Sequence, residues 1–252
     1  METTDTRGRV KVEPATKRVR IMLGGMVVAD TTRALYVWEN PSYPQYYIPL
    51  GDIAPGALKE TGTTSRSPSR GTARHFSVHG GDRVVDDAAW CYTDSPIEVL
   101  RDRVRFDWWA MDAWFEEDEE VFVHPRDPYT RVDILRSSRA VRIEVNGTVV
   151  ADTIRPTFLF ETNLPRRTYI PKLDVRMDLL DPTPTASMCP YKGTARYWSV
   201  RIGGEVHANL AWSYDTPVRE SAPIAGLVAF YDEHVDVFVD GQLQPRPKTK
   251  FS

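Results

Sequence analysis

The sequence predicts an all-β protein, mainly strand with at most short helices, built as two tandem copies of one small domain. Three observations carry this reading: a repeat at a fixed offset of 122 residues, apolar and polar residues alternating around two-residue turn signals, and no window longer than about 10 residues with a helical period. The 252 residues leave room for two domains of roughly 100 to 150 residues each. Apolar residues make up 41% and charged residues 27%, close enough to globular averages for each copy to bury a core.

The repeat is read directly. Val27-Val28-Ala29-Asp30-Thr31 returns as Val149-Val150-Ala151-Asp152-Thr153, and Tyr47-Ile48-Pro49 with Asp52 returns as Tyr169-Ile170-Pro171 with Asp174. Gly71-Thr72-Ala73-Arg74 matches Gly193-Thr194-Ala195-Arg196, and Trp90 with Tyr92 matches Trp212 with Tyr214. One offset holds across all of these, so no net insertion separates them.

Taken in order, residues 1–17 are polar and read as a disordered lead, and residues 18–125 form the first domain, whose opening hairpin turns at Gly24-Gly25. After Tyr92 the register slips. Val121-Phe122-Val123 aligns with Val237-Phe238-Val239 at an offset of 116, which makes the first copy six residues longer around Arg101 to Met111. Residues 126–139, with Asp127-Pro128 and Ser137-Ser138, read as a linker, placing the boundary near residue 135. The second domain spans 140–245. There Val141, Ile143 and Val145 point one way, and Asn146-Gly147 is a two-residue hairpin turn leading into Val149-Val150. Asp181-Pro182-Thr183-Pro184 reads as a loop, because proline lacks the N–H a central strand needs. A second hairpin runs from Thr194 to Ile202, turns at Gly203-Gly204 and returns from Glu205 to Tyr214. A third is expected to pair Leu227 to Tyr231 with Val235 to Val239 across Asp232-Glu233-His234. Residues 246–252 form a tail.

Charge and composition exclude several classes. The formal net charge of −3, with both signs mixed along the chain, gives no footprint for a phosphate backbone, so nucleic acid is not an expected partner. No run approaches the roughly 18 apolar residues of a membrane span, and the lead is not signal-like, which points to a cytoplasmic protein. Cys91 and Cys189 are too few for a disulfide framework. His75, His79, His124, His207 and His234 form no zinc-binding spacing, and His75 and His79 would lie about 13 Å apart on a strand. No metal or cofactor is expected. The run Glu116-Glu117-Asp118-Glu119-Glu120 reads as a solvated hairpin tip that also discourages edge pairing.

At Cys189-Pro190-Tyr191-Lys192-Gly193-Thr194-Ala195 and Tyr197, with Tyr169, Pro171, Asp174, Ala211-Trp212, Tyr214, Ala229-Phe230-Tyr231 and Val239-Asp240-Gly241, the second copy resembles the bacterial family catalogued as domain of unknown function 427. The first copy resembles the same family but has Ser67-Pro68-Ser69-Arg70-Gly71 where the Cys-Pro-Tyr-Lys-Gly signature stands. It is the degenerate copy of a tandem member. The resemblance implies a β fold like that of methionine sulfoxide reductase B and the cereblon ligand-binding domain, the β-tent, and supplies no activity. The zinc cysteines of several β-tent relatives are absent here.

Three functions remain open. The first is small-molecule binding in an aromatic-lined pocket of the second copy by Tyr169, Lys192, Tyr197, Trp212 and Tyr214, since aromatic side chains with polar tips suit a flat or cationic ligand. The second is an enzyme acting on a small carbonyl or carboxylate substrate through Cys189 or Lys192, with Asp174 as acid or base; a thiol three residues from an ammonium can become nucleophilic. The third is a protein interaction scaffold. Against these stand structural readings: Cys189 as a small apolar residue, Asp174 with its twin Asp52 as a turn cap, Glu161 paired with Arg155, and Trp108-Trp109 as packing.

Overall fold

The computed structural model describes residues 10–249 and 252. The expected disordered lead falls for its first nine residues outside the described ones. Two compact units divide between Asp127 and Pro128.

The first unit contains β1 (Lys11–Pro14), β2 (Val19–Leu23), β3 (Met26–Thr31), β4 (Leu35–Asn40), β5 (Tyr43–Pro49), β6 (Leu58–Ser67), β7 (Gly71–Gly80), β8 (Arg83–Cys91), β9 (Arg103–Phe106), β10 (Ala113–Glu116) and β11 (Glu119–Glu120). They form a seven-stranded sheet in the order β1-β4-β5-β9-β8-β7-β6 and a four-stranded sheet β11-β10-β2-β3. The second unit contains β12 (Val132–Arg136), β13 (Val141–Val145), β14 (Thr148–Thr153), β15 (Thr157–Glu161), β16 (Arg167–Ile170), β17 (Leu180–Cys189), β18 (Gly193–Ile202), β19 (Glu205–Ser213), β20 (Val228–Phe230), β21 (Asp236–Val239) and β22 (Gln242–Leu243). Its sheets, β12-β15-β16-β20-β19-β18-β17 and β14-β13-β21-β22, repeat the first unit's order. Helix is confined to 3-10 turns of three to six residues among the described residues, and none is long and apolar enough to cross a membrane.

Alternation builds each unit. On β2, Val19, Ile21 and Leu23 are buried; on β13, Val141, Ile143 and Val145 are. The turns that return these strands place both central residues at positive φ, Gly24 and Gly25 in one unit and Asn146 and Gly147 in the other. That backbone suits the right-handed twist of a two-residue hairpin. Between the two sheets of the second unit lies one core, with Val141, Ile143, Val237 and Val239 from the small sheet against Ile170, Val200, Val228 and Phe230 from the large one. A second cluster covers the opposite, outer face of the large sheet: Leu159, Tyr169, Ala195, Trp212, Tyr214, Ile224 and Ala229. The first unit has the same two layers, with Leu35, Val37, Tyr47, Ala73, Tyr92 and Leu100 on its outer face.

Several sequence readings change. Lys11–Pro14, inside the expected lead, is a strand paired with β4. Val132–Arg136, inside the expected linker, is its counterpart, paired with β15; Val132 and Ile134 point onto the outer-face cluster, an alternation too short to stand out beside Pro128 and Ser137-Ser138. Asp181-Pro182-Thr183-Pro184 belongs to β17, which pairs only with β18 and bulges after Pro182. An edge strand needs no outward N–H, so the prolines are tolerated there. The third expected hairpin does not form: β20 joins the large sheet beside β16 and β19, while β21 joins the small sheet beside β13, and Asp232-Glu233-His234 carries the chain between them.

The offset of 116 is corrected for the same reason. Val237 faces Ile143 on β13, and the residue facing the equivalent Ile21 is Trp114, not Val121. Val121 lies beyond the β10–β11 hairpin, and its repeated Val-Phe-Val pattern is coincidental. No six-residue insertion exists at 101–111; that segment contains β9, the counterpart of β20.

Candidate functional site

The outer face of the second unit's large sheet gathers all five expected ligand residues. Period-two alternation sends Tyr169, Tyr197, Trp212 and Tyr214 to that face and Trp198 to the inter-sheet core. Trp212 faces Tyr197 across β18 and β19. Its indole Nε1 donates to the Tyr169 hydroxyl at 3.3 Å, and its ring meets Tyr169 edge-on at 6.4 Å and Tyr231 at 4.5 Å. Tyr169, Trp212 and Tyr214 are buried, whereas Tyr197 and Tyr231 are half-buried. The Tyr197 hydroxyl bonds Ser187 Oγ on the edge strand at 2.7 Å. Burial raises the pKa of Tyr169, Tyr214 and Tyr231 above the usual phenol range, so these hydroxyls stay protonated.

Lys192 enters from the tight turn between β17 and β18. Its backbone N–H donates to the Cys189 carbonyl at 3.3 Å, and Gly193 follows at a φ of +95°, a conformation that favours glycine. The Lys192 ammonium pairs with Glu161, both side chains largely buried. A buried pair of this kind gains Coulomb energy only after a desolvation cost. Glu161 therefore pairs with Lys192, and the pairing with Arg155 expected from the sequence does not form; Arg155 pairs with Asp174 instead. Cys189 is half-buried, a free thiol at the end of β17.

Asp174 is held apart from this group. Its carboxylate accepts from Thr153 Oγ1 at 2.7 Å and from Arg155 at 3.0 and 3.1 Å, and it forms no ion pair with Lys192. Hydrogen bonds from Arg155 and then Thr153 lower its pKa. In the first unit Asp52 is held by Thr31 and Arg33 in the same way. This duplicated tether anchors the turn after β16 to β14 and engages both carboxylate oxygens.

Beside the aromatic group lies an ion pair that the sequence reading missed. Arg167 on β16 grips Glu233 through two bonds of 2.7 Å, and Thr249 Oγ1 adds a third at 2.6 Å. The guanidinium lies 5.7 Å from the Trp212 ring and 5.8 Å from Tyr231. Burial pushes the Glu233 carboxyl up, but the bonds from Arg167 and Thr249 outweigh it and leave its pKa at about 2. Neither residue has an ionic twin at the 122-residue offset, where Gln45 answers Arg167, so the repeat gave no signal.

In the first unit the same face carries Glu39, Tyr47, Arg70, His75, Trp90 and Tyr92. Arg70 stands for Lys192 and remains within 3.8 Å of Glu39, and His75 stands for Tyr197 and bonds Ser65 at 2.8 Å. Ser65 and Ser187 share the 122-residue offset, a signal that could have found this bond. Elsewhere, Trp108 is buried and stacks on Trp114 at 4.5 Å, while Trp109 is 71% exposed. The acidic run does form a hairpin tip, except that Glu116 is buried against Lys17 and the Tyr46 hydroxyl.

Two segments, residues 11–117 and 133–241, match the sequence pattern described as domain of unknown function 427. The chain belongs to the domain of unknown function 427 family. A comparison with curated proteins found no match. The two matches of the domain of unknown function 427 start at β1 and within β12, at the first strand of each large sheet, and each ends just past the four-stranded sheet's central pair. The repeat unit of the family is therefore both sheets together, in duplicate in this chain.

Proposed function

We propose that the second unit binds a small molecule on the outer face of its seven-stranded sheet, at the rim formed by Tyr197, Trp212 and Tyr231. What supports this reading is the placement of the aromatics. They lie on the face turned away from the small sheet, where a soluble domain normally presents polar residues, and their hydroxyl and indole groups bond to one another and to Ser187. Tyr197 and Tyr231 keep exposed edges, so a flat ligand stacks on them while buried Tyr169 and Trp212 hold the rim in place. Lys192 with Glu161, and Arg167 with Glu233 beside Tyr231, supply the charged groups of this face.

The test is a thermal-shift screen of the whole chain against metabolites and nucleotides, repeated on Tyr197→Ala and Ser187→Ala. Both positions are on exposed or half-buried strand surface, so the fold survives the change. A ligand at 100 times its Kd adds about 2.7 kcal/mol of stability. A stabilising compound whose effect disappears in Tyr197→Ala supports the site; one whose effect is unchanged in both variants places binding elsewhere.

A further inference from the structure

In the first unit two guanidiniums converge on one carboxylate. Arg70 and Arg105 lie 3.8 and 3.2 Å from Glu39, and the three side chains are 14%, 16% and 16% exposed. Glu39 already accepts a 2.6 Å bond from the Tyr47 hydroxyl. Arg105 makes this approach through its Nε, which lacks hydrogen-bond geometry there, and the buried Nε of Arg70 makes no hydrogen bond. Two positive charges thus stand against one negative charge.

The corresponding outer face of the second unit shows no such excess. Lys192 meets Glu161 one to one, Arg167 is matched by Glu233, and Ala229 faces Trp212 where Arg105 faces Trp90. A largely buried positive charge in excess of its carboxylate partner is costly, and an anion from solution lowers that cost. The guanidiniums are also preset. Arg105 lies 4.4 Å from the Trp90 ring and Arg70 5.5 Å from Tyr92, and a guanidinium held over a ring directs its N–H donors outward along its own plane.

We propose that the first unit binds a small-molecule carboxylate at Arg70 and Arg105. The charge count selects the class: one excess positive charge is neutralised by a monoanion, and a carboxylate matches the guanidinium fork with two parallel bonds. His75, Trp90 and Arg105 face one another in register across β7, β8 and β9, and His75 stacks on Trp90 at 5.6 Å. Trp90 is half-buried where its twin Trp212 is buried. A flat surface therefore adjoins the cation, and an aromatic carboxylate binds more tightly than acetate.

Isothermal titration calorimetry on the full chain tests this, with benzoate, acetate, inorganic phosphate and the neutral analogue benzamide as separate titrants. Benzoate should bind saturably, more tightly than acetate and phosphate, and benzamide should give no binding. Arg105→Gln should weaken benzoate at least tenfold and the exposed Arg33→Gln should leave it unchanged. Arg105→Lys keeps the charge but loses the fork and the ring contact, so it should also weaken binding, with near-ultraviolet circular dichroism confirming its fold. No saturable benzoate binding, equal binding of benzamide, or wild-type affinity in folded Arg105→Lys and Arg105→Gln overturns the site. Tighter binding of phosphate overturns the assignment to a carboxylate.

Discussion

Asp232, in the turn between β20 and β21, gives the second unit a pH-dependent stability. It is 9% exposed, and its Oδ1 is buried without a hydrogen-bond partner. Burial pushes its carboxyl from 3.8 to about 7, with Arg167 pulling down, Glu233 pushing up and Arg166 pulling down. The folded state holds this proton to higher pH than the unfolded state does. The contribution to stability is therefore complete below pH 3.8, falls as pH rises, and levels off above about 7. A tenfold difference in proton affinity between the folded and unfolded states corresponds to about 1.36 kcal/mol, so the linkage removes about 2 to 3 kcal/mol between about pH 5 and pH 8.

Asp232→Asn abolishes that titration while keeping the shape. Urea unfolding of both proteins at the two pH values isolates the effect, because every other titrating group is shared. The wild type should lose about 2 to 3 kcal/mol more than Asp232→Asn on going from the lower to the higher pH, a difference of roughly 10 °C in the melting temperature of a unit this size. Parallel pH dependences in the two proteins refute the reasoning and place the Asp232 proton in solvent-like surroundings. The depressed Glu233 carboxyl acts in the other direction, but its stabilisation is lost only as pH falls from 4.5 toward about 2, below this window.

Lys192→Ala strands Glu161 without its partner and should cost about 3 to 5 kcal/mol in urea unfolding; adding Glu161→Gln should recover most of the loss, as a double-mutant cycle will show. Trp108→Ala should cost about 3 to 5 kcal/mol through the cavity it leaves beside Trp114, whereas Trp109→Ala should stay within about 0.5 kcal/mol, and equal losses would contradict the packing described. Replacing Pro182 and Pro184 together with threonine restores two backbone N–H groups to an exposed edge strand, and light scattering should show concentration-dependent self-association stronger than the wild type's.

The duplicated framework was legible because both hairpin turns and the aromatic strands kept their spacing, and the strand that returns after Gly203-Gly204 is where alternation put it. What misled the reading was local. Five alternating residues at 132–136 carry less signal than the prolines and serines around them, and Pro182 and Pro184 exclude a central strand but not an edge one. The Val-Phe-Val match failed because three apolar letters recur by chance, in the first copy outside any strand; only the pairing partner defines equivalence. At the site, alternation correctly put Trp212 with Tyr214 and set Tyr197 against Trp198. The partners of Lys192 and Asp174 were not readable, since an ion pair between strands depends on sheet order, which no spacing along the chain encodes. Glu39 with Arg70 and Glu161 with Lys192 did preserve opposite charges at matched positions, the one trace of the contact in the sequence.

The edges of the two large sheets differ. β17 carries Pro182 and Pro184, while β6 from Leu58 to Ser67 carries none. Since β6 pairs only with β7, its outer amides and carbonyls offer a template to any extended chain that meets it, whereas β17 refuses such a chain at two positions. If copies of this protein adhere to one another in concentrated solution, pairing through these two edges is one-sided: chains can meet back to back along β6, whereas β17 resists addition at its prolines.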